Sequence, residues 1–281
     1  MRIYIHFGSL GGSEMARRRR LNRRGKIAVG LLVALTAALF FFLGGNDKNE
    51  QRKPVKSVSA GVVKELPTVE KSDLYLTFDD GPSEESGRLL DILNEFNMKA
   101  TFFMLGPHME KNSEVVKRMK EEGFGLALHG TSHQTEEIYS GPLAPLHEMV
   151  EAQAILEEQT GVKSSLIRLP YGSVPYLTVE MRGNLSQKGF RIWDWDIDSR
   201  DWELKDERFI QHTMERIEHM ISAGEAPVVL LHDRPELIDY LPELLNFIRD
   251  KGYKTGILTE EMQPVTFHCE GRCHAFVANE G

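Results

Sequence analysis

The sequence predicts an α/β protein whose body is a distorted, incomplete (β/α) barrel, preceded by one transmembrane helix. Three observations carry this expectation. Short apolar runs alternate with amphipathic stretches over residues 73–262. Asp, His and Arg gather at the ends of those runs, where such folds keep their chemistry. A charge-free apolar run near the N-terminus follows a basic cluster.

Residues 1–26 hold the basic cluster Arg17 to Arg20, Arg23, Arg24 and Lys26. From Ile27 to Leu43 no residue is charged, and Gly44-Gly45 extend the run. At ~1.5 Å per residue the segment spans most of a ~30 Å hydrocarbon core. The positive-inside rule then predicts a cytoplasmic N-terminus and an exported body. A cleavable signal peptide is the competing reading. The run ends in Phe40-Phe41-Phe42-Leu43 and lacks the small residues of a cleavage site, which favours an uncleaved signal anchor at 27–45. The stretch before Met15 fits neither a helix nor a targeting signal, and a start at Met15 would put the basic residues at the terminus. Residues 46–72 are polar and aperiodic and read as a tether.

Strands are expected at 74–78, 100–105, 124–129, 166–169, 190–195 and 228–232, and helices at 84–97, 111–122, 144–160, 178–188, 206–222 and 235–251. Leu89, Leu90, Ile92, Leu93 and Phe96 form a helical apolar stripe, as do Phe209, Met214, Ile217 and Ile221. No phosphate-binding glycine loop follows the first strand, so a dinucleotide site is not expected. Of 34 Lys/Arg and 42 Asp/Glu, eight basic residues and one acid fall within 1–45. The remainder is strongly acidic, which argues against a nucleic-acid partner.

The strand ends read Asp79-Asp80-Gly81-Pro82, then His129 with His133 four residues on, then Arg168 running into Pro170-Tyr171-Gly172. The fifth run leads through Asp194, Asp196 and Asp198 to Asp201-Trp202, and the last ends in His232-Asp233. Each has a structural reading: a turn, a chance His pair on one helical face, an ion-pair arginine, a solvated acidic loop or a core histidine. Independent structural readings at all five strand ends are improbable together. One Asp with two His makes a site for a divalent ion that leaves room for water and substrate. A second Asp beside it serves as a base and a histidine as the acid for a leaving amine, which is the chemistry of metal-assisted amide hydrolysis.

Five segments occur here in the order found in the polysaccharide deacetylases of carbohydrate esterase family 4, which this sequence closely resembles. They are Thr77 to Gly81, His129 to His133, Arg168 to Gly172, Asp198 to Trp202 and Leu230 to His232. The resemblance implies a distorted (β/α) barrel and a metal, zinc or cobalt, on Asp80, His129 and His133. It implies Asp79 as general base with Arg168 as its partner, and His232 as general acid oriented by Asp201. The Tyr171 N–H would face the developing oxyanion, and Trp202 and Leu230 would wall the groove. The family usually has Ser or Thr where this sequence has Gly130, which puts the hydrogen bonding of that loop in question. Asp80 keeps the metal-binding carboxylate and leans the reading towards N-acetylglucosamine, with peptidoglycan or a related amino-sugar polymer as partner. Rival readings are deacetylation of chitooligosaccharide, ester hydrolysis on xylan, and a catalytically silent wall-binding protein. The intact carboxylate and histidine set argues against the last of these.

Residues 263–281 form a tail with the only two cysteines, in His268-Cys269-Glu270-Gly271-Arg272-Cys273-His274. An exported context favours a short-loop disulfide. A zinc site with the flanking histidines, or two free thiols, are the alternatives.

Overall fold

Parallel strands covered on both faces must be apolar on both. Accordingly Leu76, Phe78, Phe102, Phe103, Leu126, Ala127, Val229 and Leu231 are all buried. The computed structural model describes residues 72–271 and 273–275. Its strands are β1 (Tyr75–Asp79), β2 (Ala100–Met104), β3 (Gly125–Leu128), β4 (Leu166–Ile167), β5 (Arg191–Ile192), β6 (Ile197–Asp198) and β7 (Val228–His232). All pair in parallel in the order β5-β4-β3-β2-β1-β7-β6, giving a curled, incomplete barrel. The first strand therefore lies inside the sheet, flanked by β2 and by β7.

The helices are α1 (Ser86–Glu95), α2 (Gly106–Lys111), α3 (Ser113–Glu121), α4 (Thr135–Ile138), α5 (Ala144–Thr160), α6 (Val179–Gln187), α7 (Asp201–Leu204), α8 (Glu207–Ser222), α9 (Pro235–Ile238) and α10 (Leu241–Asp250). On α10, Leu241, Leu244, Leu245 and Ile248 recur at helical spacing and are fully buried. Burial of each such side chain contributes roughly 1.5–3 kcal/mol. They join Leu89, Leu90 and Leu93 of α1 in a large core cluster that also includes Phe78 and Phe102. A smaller cluster of Phe103, Ala127, Leu166, Trp193, Val228 and Leu258 draws on the other face of the sheet.

The strand expected at 190–195 is only Arg191–Ile192 at one edge of the sheet, and an unexpected strand, Ile197–Asp198, follows at the other edge. Arg191 pairs with Leu166 on β4, whereas Ile197 pairs with Val229 on β7. The residues between them cross the gap, with Trp193 N–H on the Ile167 carbonyl and Asp196 N–H on that of Val228. The expected helix at 235–251 breaks into α9 and α10 at Asp239-Tyr240, where Pro242 in the first turn of α10 supplies no N–H to an upstream carbonyl. The short helices α2, α4 and α7 have too few residues to show a period. The N-terminal segment, membrane span and tether expected at 1–71 lie outside the described residues, among which no helix is long and apolar enough to cross a membrane.

Candidate active site

Successive strand residues face opposite sides, so residues two apart share one. Thr77 and Asp79 on β1, Val228, Leu230 and His232 on β7, and Arg168 just past β4 follow this alternation into the barrel. Arg168 is completely buried and organises them. It donates to Asp79 Oδ1 at 2.7 Å, Thr77 Oγ1 at 2.8 Å and the carbonyls of Trp193 and Asp194 at 3.3 and 2.9 Å. Its guanidinium carbon lies 4.1 Å from the Phe103 ring centroid. Breaking a buried pair of this kind typically costs about 3–5 kcal/mol. The side chain therefore fixes the Asp79 carboxylate and supports the barrel as well.

Strand β1 stops at Asp79, and Asp80 turns to a left-handed φ of 70°. That turn lets sequence neighbours reach one point. His129 Nε2 lies 3.8 Å from Asp79 Oδ2 and 3.5 Å from Asp80 Oδ1, and His133 Nε2 lies 3.1 Å from the same Asp80 oxygen. The two histidines do not share a helical face, as their spacing suggested. Residues 129–134 form a loop with positive φ at Gly130 (94°) and His133 (51°), and the imidazoles converge through that loop.

The trio fits a metal ion. Its ligand atoms all lie within 4.8 Å of one another. Asp80 Oδ1 is buried and has no hydrogen-bond donor, although it is the oxygen that both imidazoles approach. His129 Nδ1 donates to the Arg168 carbonyl at 2.9 Å, which leaves the Nε2 lone pair free to ligate. Burial alone would raise the Asp80 carboxyl, but the adjacent His129 and His133 outweigh it and hold the group well below the usual carboxylate range. A carboxylate that stays anionic under burial suits a cation.

His232 stands in a different environment. Its Nδ1 lies 2.7 Å from Asp201 Oδ1, while its own backbone N–H donates to Asp201 Oδ2 at 2.8 Å. Only Nδ1–H can donate to that carboxylate, so Nε2 is the nitrogen left to exchange a proton. Burial would lower the imidazole, but the hydrogen bond and charge of Asp201, joined by the charges of Asp79 and Asp80, raise it above its ordinary value.

A cavity of about 350 Å³ joins these groups. Its walls are Asp79, Asp80, His129, His133, Tyr171, Trp202, Leu230 and His232, with Leu169, Trp195, Asp198 and Arg234. Every predicted site residue is thus in the wall or, for Arg168 and Asp201, bonded directly behind it. Tyr171 (φ 66°) is 53% exposed and its hydroxyl donates to the His133 carbonyl at 3.0 Å. Trp202 is 46% exposed, its indole N–H directed to Asp198 Oδ1 at 3.3 Å.

Three supporting residues were missed. Arg234 donates to Asp80 Oδ2 at 3.0 Å, occupying the oxygen turned away from the histidines, and His108 Nδ1 donates to the Asp80 carbonyl at 2.6 Å. Glu148 on α5 accepts from Thr131 N–H at 3.0 Å, Ser132 N–H at 3.2 Å and Ser132 Oγ at 2.5 Å. This answers the question raised by Gly130. The loop is held from α5, and a Cβ at Gly130 would lie 2.8 Å from the Glu148 carboxylate. Arg234 follows the His232-Asp233 strand end and could have been suspected; Glu148, on a distant helix, gave no signal. Supporting residues of metal ligands typically contribute about 10–100-fold in affinity. Titration of chelator-stripped protein should show Glu148→Ala binding zinc about tenfold or more weakly than wild type, with Glu148→Gln between. Equal affinities would remove Glu148 from the site.

Cys269 and Cys273 form a disulfide, so the sulfurs hold no metal.

Comparison with known proteins agrees with this geometry. Residues 67–193 match the family model described as polysaccharide deacetylase. The Bacillus subtilis protein YheN, which carries a polysaccharide-deacetylase name, is 41% identical over 224 residues, 78% of this chain and 79% of that protein. A Bacillus cereus peptidoglycan-N-acetylglucosamine deacetylase is 32% identical over 72% of this chain and 76% of its own length. Among solved structures, the Bacillus cereus polysaccharide deacetylase Bc1974 superimposes with a TM-score of 0.64 at 32% identity, covering 70% of this chain and 97% of that one. The catalytic domain of peptidoglycan N-acetylglucosamine deacetylase from Eubacterium rectale gives 0.62 at 27% identity, covering 72% and 94%.

Proposed function

The chain belongs to the polysaccharide deacetylase family, and on that premise we propose that it hydrolyses the N-acetyl groups of N-acetylglucosamine residues in peptidoglycan. One observation carries the reading. A carboxylate fixed by a buried arginine, an Asp-His-His trio and an Asp-backed histidine open into one cavity. The names of the Bacillus cereus and Eubacterium rectale relatives support the choice of polymer.

Asp80, His129 and His133 would hold one divalent ion, zinc or cobalt. Such an ion supplies Lewis acidity, easing deprotonation of a water and polarising the acetamide carbonyl. Asp79, held by Arg168, takes a proton from the water as its oxygen bonds to the carbonyl carbon. The Tyr171 N–H faces the oxyanion that develops. His232 then delivers the proton on Nε2 to the amide nitrogen as the C–N bond breaks, giving acetate and a free amine. Asp201 keeps the imidazole in the tautomer and orientation this requires. Leu230 and Trp202 wall the groove around the acetyl methyl.

We further assign the reaction to the outer face of the membrane, with residues 27–45 as a single-pass anchor and 46–72 as tether. The apolar run behind the basic cluster supports the anchor, and the Cys269–Cys273 disulfide suits an oxidising compartment. The function is tested by mass spectrometry of purified peptidoglycan, chitooligosaccharide and acetyl-xylan after incubation with the protein. The expected product is peptidoglycan lacking acetyl groups on N-acetylglucosamine. Acetyl loss confined to xylan would replace the reading with an esterase, and no loss from any polymer would favour a silent wall-binding protein.

A further inference from the structure

Val265, Phe267 and His274 lie beyond the family-matched segment, yet their backbone and the Phe267 ring pack against or just beside the turn that carries Tyr171. Asp194 is completely buried, and its carboxylate joins two strands of chain. Oδ1 accepts from Ser173 N–H at 2.8 Å, and Oδ2 accepts from Ser173 Oγ at 2.5 Å and from Phe267 N–H at 2.6 Å. The Asp194 N–H in turn donates to the Val265 carbonyl at 2.7 Å. The Phe267 ring meets Trp195 edge to face, centroids 4.9 Å apart. Gly172, at φ 81°, fits against this pair so closely that a Cβ there would lie 3.0 Å from Trp195 and 3.2 Å from Phe267. Further along, His274 N–H donates to the Pro175 carbonyl at 2.9 Å. The same side chains thus bind the tail, the back of the turn and, through Trp195, the cavity wall.

We propose that residues 265–267 are a strap that positions the Tyr171–Ser173 turn, with Phe267 and Asp194 as its positioning residues for the reaction. The inference rests on the deacetylase reading, since it assigns the strap's effect to the Tyr171 N–H. Tyr171 and Gly172 both hold positive φ, a conformation that local sequence alone does not enforce at Tyr171. Tyr139 holds the turn from one side through the Pro170 and Gly172 carbonyls, and the tail adds its constraint from the other through Phe267 and Asp194. A donor that acts on the oxyanion affects the transition state more than the bound substrate, so loosening the turn should lower kcat and leave KM nearly unchanged.

The test uses the full-length protein with Phe267→Ala and Phe267→Leu. Hydrogen–deuterium exchange of peptides covering 170–175 is measured beside steady-state kinetics on an N-acetylglucosamine oligomer. In Phe267→Ala, exchange at Gly172 and Ser173 should accelerate about tenfold as the local opening energy falls. The kcat should drop about tenfold or more, as a misplaced catalytic group does, with KM within about twofold. Metal content and cooperative unfolding should match wild type, and Phe267→Leu should lie between. Wild-type exchange in Phe267→Ala would overturn the strap; faster exchange with wild-type kcat would overturn its role in the reaction. Should Phe267→Ala lose cooperative unfolding, Phe267→Leu decides: acceleration at 172–173 greater than at β1 supports the proposal, uniform acceleration overturns it. A wild-type protein that releases no acetate would remove the deacetylase reading, and the exchange measurement would still decide the strap.

Discussion

Replacing Asp79 with Asn should leave the metal in place and remove most of the activity. Asp79 Oδ1 is bound to Arg168 and Oδ2 faces the site 3.8 Å from His129 Nε2, so Asn keeps the volume but loses the ability to accept a proton. General-base catalysis is typically worth ~10²–10⁴-fold, and kcat should fall by that order. Extra zinc or cobalt should recover none of it. Asp80→Asn should behave in the opposite way, because Asp80 Oδ1 is the unpartnered oxygen between the two imidazoles. There the bound metal should fall, and excess metal should restore part of the rate. Elemental analysis beside acetate release distinguishes the two. An empty site in Asp79→Asn with a full one in Asp80→Asn would exchange the roles of ligand and base.

His232→Ala should lower kcat by a similar ~10²–10⁴-fold, because the departing amine loses its proton donor. His232 is not among the trio that gathers around the candidate metal position, so metal content should stay at the wild-type level. The pH dependence gives the sharper signature. An acid works only while protonated, so activity should hold below the His232 pKa and fall as pH rises through it. Asp201 is the main cause that raises that pKa against burial. In Asp201→Asn the lowering effect of burial remains while the raising charge is lost, and the alkaline limb should move to lower pH. An alkaline limb that did not move would show that Asp201 leaves His232 untuned. Wild-type turnover in His232→Ala would remove that histidine from the mechanism.

The site was more legible than the fold details around it, for a physical reason. Asp79, Asp80, His129, Arg168 and His232 sit at or just after strand ends, where a two-residue period and a change from apolar to polar residues mark position directly. That code fails where geometry comes from turns. The His129–His133 spacing suggested a helix, but positive φ at Gly130 and His133 made a loop. The strand expected at 190–195 ran too far and β6 was missed, because Trp193 and Trp195, which read as strand residues, belong to the segment that crosses between the sheet edges. Glu148 stayed invisible because its contacts to Thr131 and Ser132 span 16 or 17 residues and depend on how α5 packs. Phe267 was equally hidden, since nothing in a polar tail marks the residue that docks; Asp194 stood out in the acidic run, but its bonds to Ser173 and Phe267 did not.

Acetate release from an N-acetylglucosamine polymer, followed through chelation and metal return, tests the central claim most directly. Protein stripped of metal should fall to background and recover on addition of one equivalent of zinc or cobalt. Protein carrying His133→Ala should recover only at much higher metal concentration. Full turnover by metal-free wild-type protein would contradict the account.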